Sequence, residues 1–350
     1  MTVTARARRI ALGLAVSAGL LAAILAGVDG EAAWARLRQA DGLWLVISFL
    51  VSAAVLWARG LRFWGLSSQS SLGTVTAAIA LQNALTRVTP LRLGELSLPY
   101  ALHRVAGEPA APALVHLVLV RLVELWVLTC AATVAGLIWF GAGPGGQGIA
   151  GGVLLGGLAV MTAALAFFRP LLTWVVRLAT ALAGRLGLDG KPAVGKALAA
   201  LAQAADGSNR LDGRRRRWLV GGTLAVMALQ FILYYALLRA CGLDLAPAQV
   251  VVGSAGAQVA GALPVVSVGS LGTHETGWTA AMTWVGLGFT DAVISGLFTQ
   301  LVTLVFAAVF VPAAWWGLAR AQRGFTGEPP ARLRPTGSHG DPKDSSPSEV

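Results

Sequence analysis

Long apolar runs separated by short polar stretches dominate the chain. Six of these runs approach or reach the length of a membrane-crossing helix, about 20 residues, and they lie at 10–28, 43–59, 113–140, 150–168, 218–240 and 292–316. None alternates with the two-residue period of an outer-membrane barrel strand. The pattern therefore predicts an all-α polytopic membrane protein, a helical bundle with about six full spans.

Two further stretches are apolar but short and interrupted. The first covers 72–100, and the second covers 247–290. Each starts and ends on one side of the membrane, breaks at a proline, continues through glycine and reaches a glutamate. The predicted hinge residues are Pro90 and Gly94 in the first stretch and Pro264, Gly269 and Gly272 in the second. Broken segments at corresponding places in two halves indicate inverted repeats, so we expect two opposed re-entrant hairpins.

The composition agrees with a membrane protein. Hydrophobic residues make up 56% of the chain and charged residues only 12%, whereas soluble domains carry about 25% charged residues. An ordinary soluble globule is therefore excluded. The 43 glycines suit membrane helices, in which small residues let backbones approach closely.

The net charge of +11 is concentrated in three segments, 1–10, 169–217 and 318–350. Arginine and lysine collect on the cytoplasmic side of membrane proteins, so we expect a cell inner (plasma) membrane protein with both termini cytoplasmic. Arg59 and Arg62 mark a further cytoplasmic turn. The arginines at 214–217 precede an apolar span and are expected to touch anionic lipid headgroups. This distribution argues against a nucleic-acid partner.

The domain organisation follows from the same pattern. Residues 1–320 are predicted to form one transmembrane domain with a basic cytoplasmic loop at about 185–217. The first run follows arginines as in a signal peptide, but it is longer than a typical signal-peptide core, so we expect a retained helix. The polar tail 321–350, rich in Pro, Ser and Gly, is predicted to be disordered and cytoplasmic.

A few charged residues lie in or beside the apolar runs, where a charge costs a few kcal/mol. These candidates for substrate binding or transport are Arg87, Arg92, Glu95, Arg121, Glu124, His274 and Glu275. In one interpretation Arg87, Arg92 and His274 bind an anionic lipid headgroup, while Glu95 and Glu275 supply counter-charge or a proton-coupled switch. In the structural alternative, Arg121 and Glu124 form a pair that locks the bundle, and the other two glutamates cap broken helices.

Motifs of soluble enzymes are absent from the sequence. There is no phosphate-binding loop of the Walker type, no metal-binding His pair and no nucleophile elbow. Cys130 and Cys241 are too far apart in sequence to suggest a disulfide framework or a thiolate metal site. We therefore expect no cofactor, no metal and no enzymatic activity, although an integral-membrane transferase stays open.

Three stretches resemble a known family. Residues 89–95 (TPLRLGE) are similar to its Pro-Gly-Arg-x-Gly-Glu turn, 121–124 (RLVE) to its Glu-Arg-x-x-Asp motif, and 267–275 (SVGSLGTHE) to its Ser-Pro-Gly-Gly-x-Gly-x-x-Glu motif. The family is the flippase-like transmembrane domain of lysylphosphatidylglycerol synthases and of related stand-alone proteins. The sequence departs from the family pattern at Leu91, Leu98, Val120, Val268 and Ser270.

The resemblance implies lipid translocation without the synthase domain. The expected substrate is an anionic phospholipid or a lipid-linked precursor, such as a polyprenyl phosphate or a glycolipid, moved between leaflets. Two alternatives stay open: a non-catalytic membrane partner of a lipid- or glycan-modifying enzyme, and an integral-membrane transferase. Membrane lipids are thus the expected partners, a separate synthase or glycosyltransferase is a further candidate, and the oligomeric state is left open.

Overall fold

The computed structural model contains no β-strand among the residues that it describes, which are 31, 38–67, 70–89, 93–108, 110–141, 147–185, 195, 199, 213–262 and 272–325. The all-α prediction is therefore confirmed. A helix satisfies its backbone hydrogen bonds internally, as a segment inside a bilayer must. The long helices are α1 (Gly42–Trp64), α2 (Leu72–Val88), α3 (Ser97–Ala106), α4 (Ala110–Gly141), α5 (Gln147–Arg185), α6 (Gly213–Ala240), α7 (Pro247–Ala262), α8 (Thr273–Trp284) and α9 (Phe289–Phe325).

Four of these helices, α1, α4, α6 and α9, are long and apolar enough to cross a membrane. They correspond to four of the predicted spans. A fifth predicted span, 150–168, lies within α5, which continues through Pro170 as one helix; a proline inside a helix removes one hydrogen bond and bends the helix without necessarily ending it. The predicted span 10–28 lies outside the described residues. The chain is a multi-pass membrane protein.

The first predicted hairpin consists of α2, a 3₁₀ turn (Leu93–Leu96) and α3. The two helices have 17 and 10 residues, which at 1.5 Å per residue gives about 26 and 15 Å, less than the roughly 30 Å of a bilayer core. Ser71 caps the start of α2, its side chain accepting from the Thr74 N–H. α3 ends at Gly107, which has a left-handed backbone conformation with φ 68°. These lengths are those of a re-entrant pair.

The second hairpin consists of α7 and α8, with 16 and 12 residues. The helices run antiparallel and touch through small residues. A Cβ atom added to Gly256 would lie 2.3 Å from the Ala281 Cβ, and one added to Gly277 would lie 2.3 Å from the Ala260 Cβ. Such seams of small residues allow close helix contact inside membranes. α8 begins after Gly272, whose φ of 85° favours glycine.

Both hairpins pack against the same two spans. α2 and α3 contact α9, as does α8, while α3 and α7 contact α4. α1 packs along α6 and also touches α2. The described helices of both hairpins therefore border a common space in the bundle.

Candidate functional site

A cavity of about 620 Å³ lies among the two hairpins and the spans α1, α4, α6 and α9. This volume is within the range of roughly 300–1,000 Å³ that is usual for small-molecule sites. Besides His274, its charged lining residues are Arg59, Arg87, Glu95, Arg121 and Glu124. Guanidinium groups thus outnumber carboxylates, so the lining has a net positive charge.

The two carboxylates of the cavity are bound to arginines. Arg121 Nη2 lies 3.1 Å from Glu95 Oε1, and Arg121 Nη1 lies 2.7 Å from Glu124 Oε2. The other carboxylate oxygen of Glu124 lies 2.7 Å from Arg62 Nη2. These contacts form a continuous chain of alternating charge from the first hairpin through α4 to α1. The predicted pairing of Arg121 with Glu124 is present and extends in both directions.

Arg62 is enclosed by the bundle, with only 3% of its surface exposed. Its Nη1 donates a hydrogen bond to Thr223 Oγ1 at 3.1 Å. The side chain passes through space left by Gly222, where an added Cβ would lie 2.8 Å from the Arg62 Cγ. The sequence analysis placed this residue at a charged turn. Instead, α1 continues to Trp64, and the arginine turns inward because Glu124 offers it a buried partner.

Arg59 lines the cavity one helical turn earlier. Its Nη2 donates to Gln230 Oε1 at 3.1 Å, and its Nε is buried without an acceptor. In the part of the chain that the structure describes, no carboxylate lies within ion-pair distance of Arg59. A positive charge enclosed at membrane depth without an ion-pair partner is costly. Arg59 is therefore a site residue that the sequence analysis missed.

Arg87 and His274 bring one residue from each hairpin to the cavity wall. Arg87 Nη1 donates to Thr303 Oγ1 at 3.0 Å, which ties the end of α2 to α9. The His274 ring lies nearly parallel to the indole of Trp278, with ring centroids 6.2 Å apart. Glu95, from the same hairpin as Arg87, also lines the cavity. Predicted residues from both hairpins are therefore brought together at one cavity.

Glu275 is the exception among the described candidates. It does not line the cavity and is completely buried. Its Oε2 accepts a hydrogen bond from the Gly272 N–H at 2.6 Å, at the positive end of α8. This contact matches the structural alternative, a carboxylate that caps its own helix.

Glu95 is positioned by a close contact between the 3₁₀ turn and α2. A Cβ added to Gly94 would lie 2.3 Å from the Thr86 backbone N, so only glycine fits there without a shift. The Gly94 N–H donates to Thr89 Oγ1 at 2.8 Å, and Gln82 Nε2 donates to the Glu95 carbonyl at 3.3 Å. The predicted hinge at Gly94 is thus a point of tight packing. Four other predicted residues lie outside the described part of the chain: Pro90, Arg92, Pro264 and Gly269.

Neutral amides complete the polar lining, and the sequence analysis missed them as well. They come from four helices and are Gln82, Asn83, Gln230, Gln258 and Gln300. Gln258 Nε2 is buried without a partner, and the side chains of Asn83 and Gln300 make no hydrogen bond with a described residue. The available signal was one amide, or two adjacent amides, within an otherwise apolar run, since polar groups at membrane depth mark functional paths.

Metal-binding geometry is not found among the described residues, where no three His, Cys, Asp or Glu side chains are grouped to hold an ion. Neither Cys130 nor Cys241 forms a disulfide bond. The described lining of the cavity presents guanidinium groups, carboxylates, amides, hydroxyls and one imidazole.

Comparison with known proteins gives one family. The model described as "Lysylphosphatidylglycerol synthase TM region" matches residues 10–310. This range includes both hairpins and every cavity residue named above. No curated protein and no solved structure matches the chain.

Proposed function

We propose a transport function for this chain, which belongs to the Lysylphosphatidylglycerol synthase TM region family. The protein moves an anionic phospholipid or a lipid-linked precursor, such as a polyprenyl phosphate or a glycolipid, between the two leaflets. The family itself indicates a lipid-related membrane protein. The step from lipid association to translocation rests on the cavity.

The observation that carries the proposal is the meeting of both hairpins at one cationic cavity. Glu95 from the first hairpin and His274 from the second line it together with Arg121. Broken helices that meet at a shared polar site are the usual architecture of secondary transporters. A headgroup that crosses the bilayer needs such a polar path, because an unshielded charge in hydrocarbon is costly.

The lining also suits a molecule with an apolar part. Leucine and valine side chains of α4 face the same space as the charges, among them Leu114, Leu117 and Val118. A lipid can therefore place its headgroup against the polar groups while its chains stay in apolar surroundings. A purely polar solute would leave this part of the wall unmatched.

Leaflet exchange in liposomes tests the proposal. Purified protein is reconstituted with fluorescent lipids of several headgroup classes, and a membrane-impermeant reductant reports how much label reaches the outer leaflet. We expect exchange by the wild type and by the Glu31→Gln control, which changes an exposed carboxylate. Exchange is expected to be lost in Glu95→Gln, provided that this variant elutes as the same monodisperse species.

Other outcomes favour the alternatives. A folded protein that exchanges no lipid and co-purifies with a soluble enzyme would instead be a membrane partner of that enzyme. A new lipid product that forms only with active protein would indicate an integral-membrane transferase. Undiminished exchange in Glu95→Gln would remove this carboxylate from the transport path.

The charge distribution supports a location in the cell inner membrane with cytoplasmic termini. Basic residues at 214–217 precede the apolar part of α6, and Arg320 and Arg323 lie near the end of α9. The positive-inside rule favours a cytoplasmic location for both of these ends. The anionic headgroups of the cytoplasmic leaflet are then the natural contacts of these arginines.

A further inference from the structure

We propose that the cavity selects a headgroup in which a phosphate ester carries an uncharged, hydroxyl-rich group such as glycerol, inositol or a sugar, and that it rejects an aminoacylated headgroup. This inference rests on the proposed function and narrows its substrate class. The phosphate, the hydroxyls and the excluded ammonium each correspond to a different feature of the lining.

Arg59 supplies the charge that a phosphate would neutralise. Its guanidinium has one neutral hydrogen-bond partner, Gln230, and no ion pair within the described residues, and its Nε is buried and unused. Arginine presents several donors in a fixed plane and binds phosphate oxygens strongly. A phosphate beside this guanidinium would supply the anion that Arg59 lacks.

The amides supply a surface for hydroxyl groups. Asn83, Gln258 and Gln300 come from α2, α7 and α9, and their side chains have no partner among the described residues. A side-chain amide both donates and accepts, as a hydroxyl does. A ligand with several hydroxyls would pair with these amides from three directions, which offsets the cost of removing them from water.

An ammonium group meets amide and hydroxyl oxygens in the same cavity, but no carboxylate that is not already bound to an arginine. Ammonium only donates hydrogen bonds, and the natural acceptor would be a carboxylate. Both carboxylates of the lining, Glu95 and Glu124, are already bound to Arg121, and Glu124 also binds Arg62. An aminoacylated lipid would bring its positive charge into a wall that is already positive, which disfavours it by charge repulsion.

Equilibrium binding tests the selectivity without requiring transport. The full chain in detergent is loaded with a fluorescent phosphatidylglycerol, which is displaced by short-chain phosphatidylinositol, phosphatidylglycerol, phosphatidic acid or lysyl-phosphatidylglycerol. We expect the inositol and glycerol lipids to displace the probe at concentrations roughly tenfold lower than phosphatidic acid, the gain expected from one or two added hydrogen bonds. The lysyl lipid is expected to be the weakest competitor.

Three variants separate the roles of the lining. The double variant Gln258→Leu/Gln300→Leu is expected to bind the inositol and glycerol lipids only as tightly as phosphatidic acid. Its affinity for phosphatidic acid itself is expected to stay the same. Arg59→Gln is expected to weaken all four by a similar factor, because it acts on the shared phosphate. Gln258→Glu introduces an unpaired carboxylate and is expected to improve the lysyl lipid selectively.

Two results would overturn the inference. One is wild-type protein that binds the lysyl lipid as tightly as the inositol and glycerol lipids, or more tightly. The other is an amide variant whose affinity for all four lipids falls by the same factor. Selective binding without leaflet exchange would leave this inference standing and count against the transport function. Leaflet exchange with a preference for the lysyl lipid would support the transport function and overturn this inference. If the double amide variant does not fold, two other measurements decide whether the amides select the headgroup. They are the loss of inositol and glycerol lipid binding in Gln300→Leu alone and the tighter binding of the lysyl lipid expected of Gln258→Glu.

Discussion

Arg62 Nη2 and Glu124 Oε1 lie 2.7 Å apart and join α1 to α4, and both side chains are almost fully enclosed by the bundle. Glu124 also holds Arg121, which in turn holds Glu95 on the first hairpin. The position of the hairpin is therefore coupled through charges to α4 and, by way of Glu124, to α1. Thr223 on α6 accepts a further hydrogen bond from Arg62.

Removal of the Glu124 charge is expected to destabilise the bundle. Glu124→Gln leaves Arg62 enclosed without its anion, and breaking a buried pair on one side typically costs about 3–5 kcal/mol. The double variant Arg62→Met/Glu124→Met removes both charges, and Arg121 keeps Glu95, so it is expected to stay within roughly 1–2 kcal/mol of wild type. Thermal unfolding followed by tryptophan fluorescence compares the three proteins; an equal loss in the single and double variants would contradict the argument.

Arg59→Gln is expected to raise the melting temperature while it weakens the binding of anionic lipid. The substitution removes a half-buried charge that lacks an ion pair among the described residues and keeps a polar side chain beside Gln230. Removing an uncompensated charge of this kind is expected to stabilise by roughly 1–2 kcal/mol, a trade-off between stability and function that is common at binding sites.

Arg62→Gln is the matched control, because it makes the same chemical change to an arginine that does have an ion pair. This variant is expected to lower the melting temperature, since Glu124 loses one of its two cations. Shifts of the same sign in Arg59→Gln and Arg62→Gln would show that the two arginines do not differ as described.

Gly94→Ala is expected to displace the turn that carries Glu95. The added methyl group would meet the α2 backbone at 2.3 to 2.6 Å, and overpacking of this kind costs typically about 1–3 kcal/mol. Lower stability and reduced leaflet exchange are both expected. Gly73→Ala on the same helix is the control, because no atom lies within 4 Å of its added Cβ; similar behaviour of the two variants would argue against a packing role for Gly94.

The orientation of the bundle can be tested by cysteine labelling from one side. In a chain with Cys130→Ala and Cys241→Ala, Asp244→Cys is expected to react with a membrane-impermeant maleimide added to intact cells. Arg104→Cys is expected to react only after the membrane is opened. Both native side chains are exposed at these positions, so access depends on the side of the membrane; the reverse pattern would invert the proposed topology.

The spans were predictable from the sequence because they depend mainly on length and apolarity. The spacing of Arg121 and Glu124 also predicted a pair, since residues three apart share one helix face. The partner of Arg62 was not predictable in this way. Its carboxylate lies 62 positions further along the chain. The periodicity within one helix does not indicate which other helix packs against it.

The cavity lining shows the same division. Arg87, Glu95 and His274 stood out because they lie at breaks in apolar runs. Gln258 and Gln300 lie inside helices, and their importance depends on the packing that turns them toward a common space. Arg59 was treated as the end of a span because its charge matched the expected side of the membrane, which concealed its contact with Gln230.

The space at Gly222 couples two positions that are distant in sequence. Because the Arg62 side chain occupies the volume that a Cβ at position 222 would need, neither residue can be replaced by a larger one independently. In an alignment of relatives, we expect a larger residue at position 222 to occur together with a shorter, uncharged one at position 62, and then with a change at Glu124. A relative can therefore keep the buried ion pair of Arg62 with Glu124 only if position 222 stays small, although Gly222 itself carries no charge.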